Sequence, residues 1–285
     1  MSAAAPTLTC RVPPHVWFLV SAVFHYLGPS FAVLLFARLE PAGVAWLRIA
    51  SAGVVFGLWR QPWRFFAALP RRDQAVVVAL GIVVAAMNTV FYEAIDRLPL
   101  ATVGGIEFLA PIALAAWGMR TRRNLAALAL AVAGVYALTA PRLAGDLPGY
   151  LFAFANCVLF ALYIALGHRI ATSGAASIDR LGAAMLVATV AALPVGVGGA
   201  VPALLDPGLL AAGIGVGLSS SVIPYVCDQL AMRRLPRASF ALLLALLPAN
   251  AAVMGLLVLG QRPTLTAALG IALVIGGVAL HRAEV

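Results

Sequence analysis

The chain has 285 residues, of which 63% are hydrophobic and only 10% charged, so its surface is too apolar to face water. The formal net charge of +9 comes from 19 arginines, with no lysine in the chain. These arginines are scattered through short segments rather than clustered on one face, which excludes a nucleic-acid-binding surface. The composition predicts a protein that lies in a lipid bilayer.

Apolar stretches of the length that crosses a bilayer, about 20 residues, recur along the whole chain. We predict an all-α polytopic membrane protein with ten transmembrane helices and no soluble domain. The first span is long enough to be retained rather than cleaved as a signal peptide. The spans are predicted at residues 16–37, 42–59, 74–95, 100–119, 124–140, 149–168, 180–199, 207–230, 237–259 and 264–281.

The arginines also predict the orientation of the chain. Fourteen fall in the termini and in the connections on the same side of the membrane, against four in the connections on the other side. Because arginine-rich connections remain in the cytoplasm, both termini are predicted to be cytoplasmic. The predicted location is the inner (cytoplasmic) membrane.

The two halves of the chain are related by a shift of 137 positions, which aligns residues 97–99 with residues 234–236 without a gap. Each half contains five predicted spans, an odd number, so the second copy enters the membrane upside down relative to the first. We predict two inverted five-helix repeats, at residues 1–141 and 149–285. Inverted repeats are typical of secondary transporters that alternate access around a site near the midplane.

Four stretches carry a resemblance to a known family. They are AWLRIAS around Arg48, MNTVFYEAIDRLPLATVGGIEFLAP from Met87 to Pro111, LYIALGHR from Leu162 to Arg169, and SSVIPYVCDQLAMRRLP from Ser220 to Pro236. In these the chain resembles a drug/metabolite transporter of the EamA type, in particular the branch that exports threonine and homoserine. The resemblance implies a ten-helix inner-membrane carrier with a central cavity between the repeats and with helices 5 and 10 peripheral. The ninth span departs from the family pattern, because Leu247 before Pro248 and Gln261 at the end stand where related proteins tend to carry acidic residues.

Two charged residues lie deep in predicted spans. Glu107 is seven residues inside the fourth span and Arg48 about six inside the second, which at 1.5 Å per residue puts both roughly 10 Å below the outer boundary. Charges at one depth can share a site. The functional interpretation is that Glu107 faces a cavity, where it binds a substrate ammonium or carries a proton, and that Arg48 binds a carboxylate. The alternatives are a static ion pair between the two helices, or an Arg48 that snorkels outward.

Other polar residues near these depths are further candidates for the cavity. Asn88 of the third span lies at a similar level, with Tyr92 one turn further along. Pro111 has no amide hydrogen for the Glu107 carbonyl, four residues earlier, which leaves that carbonyl free beside the carboxylate. Pro248 repeats this feature in the second half of the chain.

The eighth span carries a polar stripe. Ser221, Tyr225 and Asp228 fall on one face of a helix, with Pro224 between them. Asp228 lies near the predicted cytoplasmic end of the span. It either lines an inner vestibule or faces headgroup water, and the sequence leaves both alternatives open.

Three further candidates have both functional and structural interpretations. His25, with Ser21 one turn earlier, is a proton relay or a structurally satisfied histidine, and the structural interpretation is favoured. Asn156 and Tyr163 are seven residues apart on one face of the sixth span. They line the cavity or form hydrogen bonds between helices.

No metal site, cofactor or disulfide framework is predicted, because Cys10, Cys157 and Cys227 lack the spacing of metal ligands.

The leading hypothesis is a secondary transporter that exports amino acids or related small metabolites, with protons exchanged at Glu107. Its expected partners are the lipid bilayer, a small-molecule substrate and protons, and the choice between monomer and homodimer stays open. The alternatives are a drug or toxic-cation exporter and an uncoupled metabolite facilitator. A membrane enzyme is disfavoured, because the connections are too short and too poor in clustered polar residues.

Overall fold

A computed structural model describes residues 12–109, 121–139, 146–172, 177–235, 240, 244 and 247–280 of the chain. Across these residues the regular secondary structure is helical and includes no strand. A short helix, Pro62–Ala67, connects the second helix to the third. The main helices are α1 Pro14–Leu35, α2 Pro41–Arg60, α3 Arg71–Arg97, α4 Leu100–Glu107, α5 Arg122–Thr139, α6 Leu147–Ala171, α7 Ser177–Leu205, α8 Pro207–Met232, α9 Leu247–Leu259 and α10 Leu265–Leu280.

The described helices are those of a polytopic membrane protein. Six of them, α1 to α3 and α6 to α8, are long and apolar enough to cross a bilayer, and shorter apolar segments lie at Asn250–Leu259 and Leu265–Gly277. Large apolar side chains such as Leu58 and Val190 remain exposed on the outside of the bundle. In lipid these side chains need no protein cover, since lipid tails are as apolar as leucine.

Proline marks several of the helix starts, because its fixed φ suits the first turn and its missing amide hydrogen has no partner there. Pro14, Pro41 and Pro207 open α1, α2 and α8.

Two predicted spans are described only in part. The described helix α4 ends at Glu107, and Pro111 lies outside the described residues. The described helix α9 begins at Leu247, so Pro248 is its second residue and does not interrupt the part that is described.

Two pairs of antiparallel helices pack through small residues. Along α2 and α7, Gly43 meets the backbone of Gly199, and a Cβ at Gly53 would reach the Thr189 hydroxyl. Along α5 and α10, a Cβ at Gly134 would lie 2.6 Å from the Gly270 carbonyl oxygen. Small residues let helix backbones approach closely, which is how helices associate in membranes, where the hydrophobic effect gives little help. These contacts therefore fix α2 against α7 and α5 against α10.

The other helix contacts enclose a central region. Helix α3 packs on α6 and α7, α1 packs on α8 and α9, α2 packs on α8, and α4 packs on α6 and α9. One side each of α1, α2, α3, α4, α6 and α8 therefore faces the middle of the bundle. Helices α5 and α10 contact mainly each other and lie to one side, as the family resemblance implied.

Ion pairs join the helix ends at both faces of the bundle. At one end Arg60 pairs with Asp179 at 2.7 Å. At the other end Arg38 pairs with Asp206 at 3.3 Å, and Asp206 caps α8 by accepting hydrogen bonds from the amides of Gly208 and Leu209. These amide hydrogen bonds, with the nearby Arg38, hold the pKa of Asp206 below its usual value. Asp206 is therefore an ionised cap for α8 at neutral pH.

We expect Gly43→Ala to destabilise the protein. The added Cβ would lie against the Gly199 carbonyl group and 2.7 Å from the amide nitrogen of Ala200, in a place where only backbone could move away. Overpacking of this kind costs about 1 to 3 kcal/mol. The matched control is Gly198→Ala, whose Cβ would meet nothing within 4 Å. Thermal unfolding in detergent should show a lower Tm for Gly43→Ala alone, and an equal Tm for both variants would contradict the close contact.

Candidate functional site

Glu107 is held at the centre of the bundle by two hydrogen-bond donors from other helices. It is the last residue of α4, and only 3% of its surface is exposed. The Tyr26 hydroxyl of α1 donates to its Oε2 at 2.7 Å. The Asn156 side-chain amide of α6 donates to its Oε1 at 3.0 Å. Two donors satisfy much of the hydrogen-bonding demand of a buried carboxylate, so Glu107 is held in position by α1 and α6.

Arg48 is equally buried and is bound by α8. Its Nε donates to the Ser221 hydroxyl at 2.8 Å, and its Nη2 donates to the Ser220 carbonyl at 2.6 Å. Its guanidinium carbon lies 5.5 Å from the ring centre of Tyr92 and 6.0 Å from that of Tyr225, within the range of cation–π attraction. The side chain therefore points into the bundle, and the interpretation that it snorkels outward is wrong.

The Ser220 carbonyl is available to Arg48 because α8 is irregular at this point. Residues Leu218–Val222 form a π-helical turn, and Pro224 follows it. In an α-helix the amide of residue 224 would donate to the carbonyl of residue 220, but proline has no amide hydrogen. Such π-helical turns are rare and are frequent at functional sites. The turn and the proline together present a backbone acceptor to the guanidinium.

Arg48 and Glu107 line the same small cavity without pairing. Among the ion pairs of the described residues, none joins these two side chains, so the static ion pair is not what the structure contains. The cavity has a volume of about 10 Å³, which is room for about one water molecule. Its lining comprises His25, Arg48, Met87, Asn88, Phe91, Glu107, Asn156 and Tyr225.

Two further contacts complete the cavity wall. Asn88 donates through its side-chain amide to the Val84 carbonyl at 2.7 Å and to the Tyr225 hydroxyl at 3.3 Å. Asn88 and Tyr225 are 137 positions apart, which is the shift that aligns the two halves of the sequence. His25 lies beside the rings of Tyr26 and Phe160, with centroids 5.5 and 6.1 Å away.

Asp228 forms a second buried polar cluster, next to the cavity. Its Oδ1 lies 2.5 Å from the Ser21 hydroxyl of α1, and its Oδ2 accepts from the Tyr163 hydroxyl of α6 at 3.2 Å. Only 3% of its surface is exposed, so the interpretation that it faces headgroup water is wrong. The Tyr163 ring lies 5.4 Å from the ring of Tyr225, which lines the cavity. The two polar clusters therefore adjoin each other.

Sequence reasoning missed two members of this region. Tyr26 was not named, although a tyrosine inside an apolar span needs a partner for its hydroxyl and so signals a polar site. The role of Ser220 was missed because its backbone carbonyl, and not its side chain, binds Arg48. The only sequence signal for this is the proline four residues later.

Gln261 has a structural role, since its Oε1 accepts from the Leu100 amide at the start of α4. Within the described part of the chain, no group of three or more His, Cys, Asp or Glu is placed to hold a metal ion.

Apolar helices that enclose buried charged groups around a cavity define a class of protein, the membrane transporters. Residues 147–282 match the EamA-like transporter family. The threonine/homoserine exporter RhtA of Salmonella typhimurium is 30% identical over 240 residues, which is 83% of this chain and 80% of that protein. The exporter of the same name from Escherichia coli K12 is 29% identical over 257 residues, which is 88% of this chain and 85% of that protein. The chain belongs to the EamA-like transporter family, and it is a transporter rather than an enzyme.

A solved crystal structure has the same fold. It superposes with a TM-score of 0.62 over 94% of this chain and 98% of that chain, at 21% sequence identity. The shared architecture therefore extends over nearly the whole chain.

We expect Tyr26→Phe to destabilise the ligand-free protein, because it removes one of the two donors to the buried Glu107 carboxylate. The loss should be about 1 to 3 kcal/mol, as for other hydrogen bonds to buried charged groups. Tyr92→Phe is the matched control, since the Tyr92 hydroxyl is equally buried but is not one of the two donors to Glu107. Chemical or thermal unfolding in detergent measures both variants. Equal effects would show that the Tyr26 hydrogen bond contributes nothing specific.

Proposed function

We propose that this protein exports small amino acids of the threonine and homoserine kind across the inner membrane by alternating access, in exchange for protons. The relatives named above are exporters of these compounds, and they align with most of the chain. The proposal applies that chemistry to the buried polar residues of this chain. Glu107 and Arg48 are the two principal binding groups.

The observation that carries the proposal is a buried acid and a buried base that line one cavity without pairing. Each is fixed by other contacts, Glu107 by Tyr26 and Asn156, and Arg48 by the Ser220 carbonyl and the Ser221 hydroxyl. A zwitterionic amino acid carries the complementary charges, an ammonium for Glu107 and a carboxylate for Arg48. Charge-assisted hydrogen bonds of both kinds are among the strongest polar contacts in proteins.

An unpartnered polar atom near the two charges supports the same conclusion. The Asn156 Oδ1 is buried without a hydrogen-bond partner among the described residues. Buried polar groups are nearly always hydrogen-bonded, so an unpartnered one calls for an occupant. The Asn156 oxygen is an acceptor suited to the ammonium held by Glu107. The Tyr92 ring already lies against Arg48, which puts its hydroxyl in the same region as the substrate carboxylate.

The architecture that we propose is two inverted repeats, residues 1–141 and 149–285, with both termini in the cytoplasm. The helix contacts support it. Each helix of one repeat has a counterpart five helices away in the other repeat, and when two helices are in contact their counterparts are in contact as well. Thus α3 packs on α6 as α8 packs on α1, and α4 packs on α6 as α9 packs on α1. Two helices pack on their own counterparts, α2 on α7 and α5 on α10. Both pairs are antiparallel, as a two-fold axis in the membrane plane requires.

The size of the cavity supports alternating access. A space for about one water molecule cannot hold an amino acid, so the substrate enters only when helices separate on one side. The polar contacts around Glu107 and Arg48 join α1, α2, α4, α6 and α8, which belong to both proposed repeats. Rocking of one repeat against the other would open the cavity to one side while the other side stays closed.

The first test is export from proteoliposomes loaded with labelled threonine or homoserine. Wild-type protein should release both, and Glu107→Gln should lower the rate about tenfold or more, because it removes a charge-assisted contact to the substrate ammonium. The matched control is Glu93→Gln, the same chemical change at a glutamate that pairs with Arg97 near the end of α3. Undiminished export by Glu107→Gln would refute the assignment of the site.

The same assay separates the alternative transport functions. For an amino-acid exporter, Arg48→Gln should abolish discrimination between an amino acid and the corresponding amine without a carboxylate. A cation exporter would transport the amine and would tolerate Arg48→Gln. An uncoupled facilitator would equilibrate substrate at the same rate with and without a pH gradient.

The proposed orientation is tested by labelling single cysteines in a cysteine-free background. Arg38 precedes α2 and Arg64 lies in the short helix after it, and both are exposed. In intact cells, a membrane-impermeant maleimide should label Arg38→Cys, and it should label Arg64→Cys only after the membrane is broken. The reverse pattern would place both termini outside.

A further inference from the structure

We propose that Asp228, and not Glu107, holds the coupling proton, and that its protonated form fastens α8 to α1 and α6 on the cytoplasmic side of the cavity. The inference rests on the proposed function, because a coupling proton has meaning only in a transporter that uses one. The two buried acids then have different roles: Glu107 binds the substrate ammonium, and Asp228 carries the proton.

The hydrogen-bond geometry around Ser21 fits a proton on Asp228. The Ser21 hydroxyl lies 2.5 Å from Asp228 Oδ1 and also 3.2 Å from the Pro224 carbonyl oxygen. A hydroxyl has one hydrogen to donate, and both of these neighbours are acceptors when the carboxylate is ionised. A proton on Oδ1 satisfies both contacts, because Asp228 then donates to the Ser21 oxygen while Ser21 donates to the Pro224 carbonyl.

The charge balance of the buried region leads to the same assignment. Arg48 and Glu107 carry opposite charges beside one cavity and offset each other. Asp228 takes part in none of the ion pairs found among the described residues. A second unpaired anion inside the bundle is costly, and a neutral acid avoids that cost. The titratable side chains around Asp228 are Tyr163 of α6, Cys227 and Tyr225 of α8, and Arg48 of α2 beyond Tyr225. His25 lies one turn after Ser21 on α1, beside Phe160.

Glu107 has the opposite arrangement. Its Oε1 accepts from the Asn156 amide and its Oε2 from the Tyr26 hydroxyl, so both of its oxygens serve as acceptors. These contacts suit an ionised carboxylate, which is the form that binds an ammonium. The two acids therefore differ in their surroundings, although both are buried to the same extent.

The position of Asp228 gives the proton a mechanical role. In the proposed orientation, Asp228 lies four residues before the cytoplasmic end of α8 at Met232, about 6 Å along the axis. The neutral acid joins α8 to Ser21 of α1 and to Tyr163 of α6, and it closes the bundle on that side. Loss of the proton to cytoplasmic water leaves a charge that is stable only when hydrated, so it favours separation of these helices and entry of substrate. When the substrate-loaded cavity opens outward, a proton from outside reaches Asp228 past Tyr225 and Tyr163 and restores the neutral acid that holds the cytoplasmic side closed.

Infrared difference spectroscopy of the full-length protein in lipid, without substrate, tests the proton assignment. Between about pH 6 and 9 exposed carboxyls stay ionised, so a protonated carboxyl C=O band reports a buried acid. Wild type should lose such a band as the pH rises, Asp228→Asn should lack the band, and the matched change Glu107→Gln should keep it. A band lost in Glu107→Gln but kept in Asp228→Asn overturns the proposal, and so does a wild-type spectrum without a band that responds to pH.

A second pair of variants leaves both acids in place, in case Asp228→Asn does not fold. Ser21→Ala removes the partner of Asp228 and should shift the frequency of the band. Ser30→Ala removes another buried hydroxyl of α1, one that donates to the Tyr26 carbonyl, and should leave the band unchanged. Identical spectra for the two variants overturn the assignment to Asp228.

Transport measurements test the coupling separately. Asp228→Asn should lose accumulation of substrate driven by a pH gradient and should retain exchange of labelled for unlabelled substrate, since exchange needs no net proton movement. Accumulation at the wild-type level by Asp228→Asn overturns the proposal. If wild type moves neither threonine nor homoserine, the proposed function fails, whereas the infrared result still decides which acid holds a proton.

Discussion

The cost of keeping charged groups inside an apolar helix bundle governs this structure. Arg48, Glu107 and Asp228 lie where a bare charge would be unstable, so each is surrounded by donors or acceptors from other helices. The contacts to Glu107 join α4 to α1 and α6, and those to Arg48 join α2 to α8. The same contacts that make the charges tolerable therefore hold the centre of the bundle together.

Two kinds of helix contact have different consequences. Where Gly43 meets Gly199, and where Gly134 meets Gly270, backbones touch directly and leave no space for change. Around the cavity, the helices meet through polar side chains and a space with room for about one water molecule. Polar contacts can be exchanged for contacts with water or substrate at modest cost, whereas close backbone packing cannot. The small-residue pairs therefore form the rigid part of the bundle, and the polar centre is the part that is free to rearrange.

Much of this arrangement could be predicted from the sequence. Apolar stretches located the helices, six of which are long and apolar enough in the described residues to cross a bilayer. A carboxylate or guanidinium inside an apolar stretch is conspicuous, so Glu107 and Arg48 were found by inspection. The partners of these charges could not be found in this way, because depth along a helix does not give its rotation or its neighbours. Tyr26 is 81 positions from Glu107, and Ser21 is 207 positions from Asp228. The π-helical turn was also missed, since serines in membrane helices usually bond back to their own backbone, as Ser219 and Ser220 do here.

The π-helical turn in α8 also distinguishes the two halves of the bundle. Its counterpart by position in the first half, α3, is α-helical from Arg71 to Arg97. The backbone acceptor that binds Arg48 therefore has no equivalent in the other half, and the proposed two-fold relation does not extend to the chemistry of the centre. A strictly symmetric site would accept a ligand in either of two orientations. Here acid and base occupy fixed, inequivalent places, so the proposed zwitterionic substrate would bind with its ammonium and carboxylate in one direction only.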